Sequence, residues 1–186
     1  MPDIRLSNEI NHRVELPLLC AQKGLLGTAA ELGVHRGDFA ALFLNRWPGK
    51  EYLCIDHYQD YSSLGLREID RKVAHVQLAR YGDRVKWIEE DSTIALRALA
   101  LESLDFCYID AEHLEWAVAE DILAAWPRIK PGGILAGHDF DRDFIGTVFA
   151  VRAFSERENV TIHLTSEGGI QWSWYCYKPR IQNPEF

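Results

Sequence analysis

The chain has 186 residues, a formal net charge of −8 and 47% hydrophobic residues. That length suits one domain with its own core, and the acidic balance argues against nucleic acid as the main partner, since phosphate binding needs a basic footprint. No apolar run approaches a membrane span of about 20 residues, and residues 1–9 carry acids rather than the apolar segment of a secretory signal, so a cytoplasmic protein without a membrane partner is expected.

In chain order, apolar runs of strand type alternate with segments of helical period. A first strand is predicted over residues 28–33. The helix after it carries Phe39, Leu42, Phe43 and Trp47 and stops at Pro48-Gly49. A second strand covers 51–56. A polar loop rich in tyrosine, 57–66, leads into a helix with Ile69, Val73, Val76 and Ala79 on one face, ended by Gly82-Asp83. The third strand covers 84–89, and Asp91-Ser92 caps a short helix through Leu99. The fourth, 104–110, is continuously apolar after Asp105, the pattern of a strand covered on both faces. Leu114, Val118, Ile122 and Trp126 mark the next helix. Pro131-Gly132-Gly133 reads as a turn into a fifth strand, 134–137, and a helix follows through Ile145, Val148 and Val151. Two late strands, 160–165 and 170–177, are joined by Glu167-Gly168-Gly169, a hairpin signal that makes them antiparallel. Residues 1–24 read as an N-terminal helical segment, with a helix over 7–23 broken at Pro17, and 25–180 as the main domain. Cys20, Cys54, Cys107 and Cys176 form no Cys-x-x-Cys pair and read as reduced core residues.

Strand and helix alternating in this way imply an α/β, doubly wound sheet, mainly parallel, whose ligands bind beyond the carboxyl ends of the strands. The residues there carry the chemistry. Gly33 and Gly37 follow the first strand, where glycine lets a backbone approach a ligand closely. They form neither the Gly-x-Gly-x-x-Gly dinucleotide fingerprint nor a Gly-Lys-Ser/Thr phosphate loop, which lowers the case for a nicotinamide enzyme or a nucleotide triphosphatase. Asp56 ends the second strand, 23 residues after Gly33, close to the offset at which an acid accepts both hydroxyls of a ribose. Asp91 serves either as a helix N-cap or as an acceptor for an adenine amino group. Asp110, Glu112, His113, His138 and Asp139 follow the fourth and fifth strands, and five ionisable side chains at one sheet edge read as a site.

Glu31-Leu32-Gly33 through Gly37, Asp56, Glu90-Asp91-Ser92 and Pro131-Gly132-Gly133 together resemble the successive motifs of class I S-adenosylmethionine-dependent methyltransferases. Tyr108-Ile109-Asp110-Ala111-Glu112-His113, followed by Gly137-His138-Asp139-Phe140, is similar to a bacterial small-molecule branch. That branch includes the macrolide and aminocoumarin sugar O-methyltransferases and the cephalosporin-hydroxylase-like proteins; catechol O-methyltransferase is a more distant likeness. The resemblance covers residues 25–178. It implies a Rossmann-like seven-stranded sheet with an antiparallel last strand, and methyl transfer to oxygen of a small-molecule acceptor. It also implies a cofactor set of Glu31, Gly33, Gly37, Asp56, His57, Asp91, Ser92 and Asp110. In metal-dependent relatives a divalent ion (Mg, Mn or Fe) is held at positions that map to Asp110, His138 and Asp139, and an acid at the position of Glu112 serves as base. The chain departs at His138, where those relatives carry an acid. That set is poorer for magnesium. It also suits a site without metal, with His113 or His138 as general base near neutral pH. Tyr58, Tyr61 and Trp116 line the substrate side or serve as ordinary core and surface aromatics. With so small a cap, the site is either open or completed by a partner subunit in a homo-oligomer. Two other readings remain: an iron-using, hydroxylase-like enzyme on the same fold, and a cofactor-binding module without catalysis.

Overall fold

Alternating side chains decide how the sheet is covered. Ala30 and Leu32 of one strand face one way and Ala29 the other, and each set joins a separate apolar cluster, so both faces must be buried. The structure, a computed structural model, describes residues 3–59, 65–166 and 172–180. Its eight strands are β1 (Ile4–Leu6), β2 (Thr28–Leu32), β3 (Glu51–Ile55), β4 (Val85–Ile88), β5 (Leu104–Ile109), β6 (Ile129–Gly137), β7 (Ile162–Leu164) and β8 (Trp174–Tyr177). The helices are α1 (Leu16–Gln22), α2 (Asp38–Arg46), α3 (Leu66–Leu78), α4 (Ser92–Ala98), α5 (Glu115–Ala125) and α6 (Ile145–Glu158). The strands lie in the order β1-β7-β8-β6-β5-β2-β3-β4, all parallel except β8, which runs antiparallel to both β6 and β7. Among the described residues no helix is long and apolar enough to cross a membrane. All four cysteines are buried and free.

On one face Phe39 and Phe43 of α2, with Trp47 just after it, pack over the sheet. The Phe39 and Tyr108 rings stack at 3.9 Å between centroids, and those of Phe43 and Phe106 at 4.7 Å. On the other face Val118 and Ile122 of α5 and Val151 and Phe154 of α6 join Leu32, Ile55, Cys107 and Ile109. The six residues of β5 are all buried, as its apolar run predicts.

Several expectations need correction. The sheet has eight strands, not seven, because Ile4–Leu6 pairs in parallel with β7. Three residues with a single apolar-polar-apolar alternation give too short a signal to separate from a loop. Pro17 does not break a helix; it lies in the first turn of α1, where its missing N–H costs nothing. A single turn of 3-10 helix, Arg13–Glu15, precedes it. Pro131-Gly132-Gly133 lies within β6 instead of forming a turn, and the pairing shifts register between Leu104 and Phe106 of β5 to accommodate it. The apolar face of α3 is turned outward: Ile69, Val73 and Val76 are exposed, and Asp70, Ala74 and Leu78 are buried instead. The hairpin link 167–169, the start of its second strand at 170 and Tyr61 lie outside the described residues; the antiparallel pairing of β7 and β8 is present.

Gly33, immediately after β2, fixes how closely the two central strand ends approach. Its φ is +82°, and a Cβ there would stand 2.1 Å from the carbonyl oxygen of Asp110. Gly33→Ala is expected to destabilise the fold by more than about 2 kcal/mol, the left-handed strain of about 1–2 kcal/mol plus the clash. Denaturant unfolding measures this, and a loss under 1 kcal/mol would mean that the β2–β5 approach is not constrained.

Candidate active site

The chain leaves β2 toward β3 and leaves β5 toward β6, in opposite directions across the sheet, so the crevice of a doubly wound fold opens at their adjacent carboxyl ends. A cleft of about 370 Å³ lies there, within the range of small-molecule sites. Gly33, Asp56, His57, Asp91, Ser92 and Asp110 all border it. Glu31 and Gly37, expected in the same set, do not. Glu31 is buried beneath the cleft, where its carboxylate accepts the Tyr52 hydroxyl at 2.8 Å. Gly37 begins α2 and packs against Leu78 of α3.

Asp56 is gripped by the loops that follow β2 and β3. Its Oδ2 accepts the His35 amide at 2.9 Å and its Oδ1 the Tyr58 amide at 2.8 Å. Each carboxylate oxygen can take a second bond, so the acid is oriented with acceptor capacity left. His35 and Tyr58 both hold left-handed backbone, with φ of 51° and 47°, and the Tyr58 hydroxyl donates to the His35 carbonyl at 3.0 Å. Asp139 after β6 shares this backbone with φ 58°. Strained non-glycine residues thus follow three of the strands that end at the site, the pattern of functional loops. Tyr58 is buried as a brace, whereas Trp116 stands exposed at the cleft rim.

At the β4 end, Asp91 caps α4: Oδ1 accepts the amides of Thr93 and Ile94 and the Thr93 hydroxyl. Ser92 donates its hydroxyl to Asp121 of α5, and burial raises the Asp121 carboxyl to about 6. At the β5–β6 end, Asp139 is buried with one histidine on each oxygen. His113 Nε2 lies 2.6 Å from Oδ2 and His138 Nδ1 2.8 Å from Oδ1. Burial works to raise the Asp139 pKa, but the hydrogen bond and charge of His138, with those of His113, outweigh it and hold the group below its usual value. Asp110 goes the other way, raised mainly by burial, with Asp139 adding repulsion against the attraction of His138 and Arg13. His113, His138 and Asp139 border a separate void of about 10 Å³, and Asp110 and Glu112 line both it and the cleft.

Among the described residues, the metal-type ligand atoms that lie within 4.8 Å of one another belong to Asp110, His113 and Asp139. His138, expected as a ligand, turns Nδ1 to Asp139. Two ligands about 2.1 Å from one ion stand about 3 Å or more apart. The 2.6 Å contact of His113 with Asp139 is shorter than that spacing, so as placed the two side chains are hydrogen-bonded to each other. Two further residues at the site escape the sequence reading. Asp121 carried a signal, as an acid inside the apolar helical stripe of Val118, Ile122 and Ala125. Arg13, 3.8 Å from Asp110, carried none.

A family model described as a methyltransferase domain matches residues 30–140, more than half of the chain. The chain belongs to this methyltransferase-domain family. The cleft and cluster residues from Gly33 to Asp139 fall inside the matched segment, and Arg13 lies before it. A search against curated proteins finds no match. Among solved structures, the cofactor-bound protein Rv0187 from MTB superposes with a TM-score of 0.69 at 18% identity, covering 94% of this chain and 84% of the other. An O-methyltransferase from Bacillus cereus in complex with SAH gives 0.63 at 18%, covering 89% and 80%. The O-methyltransferase TomG from Streptomyces achromogenes, in complex with SAM, gives 0.63 at 16%, covering 89% and 78%. At these identities the likeness establishes the fold.

Burial keeps Glu31 of this methyltransferase domain well above its usual 4.5, with Asp110 and Asp56 adding repulsion that the Tyr52 bond does not cancel. A carboxyl raised in the folded state stabilises the fold fully below its unfolded pKa and loses that contribution as pH rises. Glu31→Gln, which keeps the Tyr52 contact, should therefore gain stability relative to wild type between pH 5 and pH 8. Thermal unfolding at the two pH values reads the difference, and parallel curves would mean that Glu31 is ionised in the fold.

Proposed function

We propose that the protein is an S-adenosylmethionine-dependent O-methyltransferase that methylates a small-molecule acceptor, with the His113–Asp139 pair removing the acceptor's proton. The observation that carries the cofactor reading is the charge of the cleft. Asp56, Glu90, Asp91, Asp110, Glu112, Glu120 and Asp121 line it against His35, His57 and Arg67. Such a surface repels the phosphates of a dinucleotide or nucleoside triphosphate and attracts a sulfonium with an amino-acid ammonium. The O-methyltransferases of like fold, described in complex with SAM and SAH, support the same choice. The cofactor would lie over Gly33 with its ribose hydroxyls on the open lone pairs of Asp56 and its base toward Asp91 and Ser92.

Methyl transfer is an in-line displacement at carbon, so the protein supplies placement and proton removal. Asp139 is ionised, so the hydrogen bonds to its oxygens carry their protons on His113 Nε2 and His138 Nδ1. That tautomer leaves His113 Nδ1 unprotonated and able to accept a hydroxyl proton, while Asp139 stabilises the imidazolium that forms. His113 is 37% exposed against 10% for His138, which favours His113 as the group an acceptor reaches. Glu112 and Asp110 border the same end of the cleft and would flank the acceptor. In this mechanism the His113–Asp139 pair acts on the acceptor's proton directly, and no step needs a metal ion.

Asp56→Ala should weaken S-adenosylhomocysteine binding about tenfold or more, since it leaves polar ligand groups unpaired at about 1–3 kcal/mol. Calorimetry on the folded variant tests this, and unchanged affinity would move the ribose elsewhere. His113→Gln should lower methyl transfer from labelled S-adenosylmethionine to a panel of phenols, catechols and sugar hydroxyls by about 10²–10⁴-fold, with cofactor affinity retained. Activity lost to EDTA and restored by manganese or magnesium would instead favour a divalent ion at Asp110, His113 and Asp139.

A further inference from the structure

Ser92 sits where the cleft meets the first turn of α4, half-buried, and its hydroxyl donates to Asp121. A serine hydroxyl has one proton. With that proton committed to a buried carboxylate, Ser92 Oγ presents only lone pairs to the cleft. We propose that Asp121 is a positioning residue that makes Ser92 an obligate acceptor, so that this end of the cleft selects a 6-aminopurine and rejects a 6-oxopurine. This rests on the cofactor reading above and names its base selectivity.

The surroundings favour the same preference. Oδ1 of Asp91 takes the three cap bonds of α4, and Glu90 and Glu120 also line this part of the cleft. Acceptors therefore dominate where the exocyclic group of the base would lie. An amino group donates to them, whereas a carbonyl in its place faces lone pairs, and a mispaired polar group in a closed site is costly. Burial makes the arrangement durable. Asp121 is 3% exposed, on the stripe of α5 that packs against the sheet, so its side chain has little freedom to turn from Ser92. The groups facing it are Ser92 and Asp91 from the start of α4, Glu120 beside it on α5, and the buried Cys107 thiol of β5. Burial, with repulsion from Asp91 and Glu120 and against the Ser92 bond, raises its carboxyl to about 6. Below that pH a protonated Asp121 no longer demands the serine proton, and Ser92 becomes free to donate.

The test is calorimetry with S-adenosylhomocysteine and its 6-deaminated analogue, S-inosylhomocysteine. Wild type, Asp121→Leu and Ser92→Ala are compared at pH 7.5 and pH 5. Wild type should prefer the adenosyl ligand at least about tenfold at pH 7.5 and lose most of that preference at pH 5. Asp121→Leu removes the acceptor while filling the apolar stripe, and should bind both ligands within a few-fold at both pH values. Ser92→Ala should lose affinity for the adenosyl ligand only. His35 and His57 also border the cleft, and any pH effect of theirs would persist in Asp121→Leu. Equal wild-type affinity for the two ligands, or a preference kept in Asp121→Leu, overturns the inference and leaves the cofactor reading intact. Failure of wild type to bind either ligand overturns both.

Discussion

The structure turns on one close contact, the approach of the Gly33 backbone to the Asp110 carbonyl. The central strands β2 and β5 are buried on both faces and paired to each other, so their ends must emerge side by side. Only a residue without a Cβ, at positive φ, lets the chain leave β2 at that spacing. Once it does, the loops after β2 and β5 diverge to opposite halves of the sheet, and the space between them is the cleft. The same constraint brings the acids of different strands into one another's fields. Asp110 and Asp56 both act on buried Glu31, and Asp110 feels Asp139. Placement of the site therefore follows from backbone geometry, and its electrostatics from placement.

The acids at the site are handled by three physical means. Glu31 is buried, which favours its neutral form, with a tyrosine hydroxyl on its carboxyl. Asp139 is held below its usual pKa by two imidazoles, one on each oxygen. Asp56 and Asp91 are ionisable and spend part of their acceptor capacity on backbone amides, which fixes their direction without exhausting them. A cleft lined by so many carboxylates would otherwise repel itself open, and a cationic ligand relieves the same repulsion when it binds.

Much of this was legible in the sequence, for identifiable reasons. The buried strands β2, β3 and β5 are mostly apolar, Gly33 follows the first of them, and an aspartate follows each of the other two, so both the sheet and its functional edge could be read. Asp56 and Asp110 directly follow a strand and Asp91 and Ser92 come where the short link after β4 meets α4, which is why the sequence could put all four at the edge where the cleft lies. Other features depend on three-dimensional partners that no local pattern encodes. The pairing of His113, and not only His138, with Asp139 is set by how the loops after β5 and β6 meet. Gly132-Gly133 carries the composition of a turn, yet it stays in β6, where the Gly132 amide donates to the Lys178 carbonyl and the Lys178 amide to that of Gly133. The outward face of α3 shows that helical periodicity identifies an amphipathic side without telling which side is covered.

The edge strand β1 has a consequence for how the domain opens. Ile4, Arg5 and Leu6 pair with Ile162, His163 and Leu164, so the sheet's outer strand joins the first residues of the chain to residues near its far end. Closing so long a loop costs entropy, and three residues of ladder return little against it. The central strands are covered by helices on both faces, whereas Leu6 is 58% exposed. The amides of this strand should then exchange with solvent through local detachment, long before those of β2 and β5, whose exchange waits for global unfolding. Detachment also bares the polar edge of β7, and at that moment the molecule can pair with a strand from a second chain.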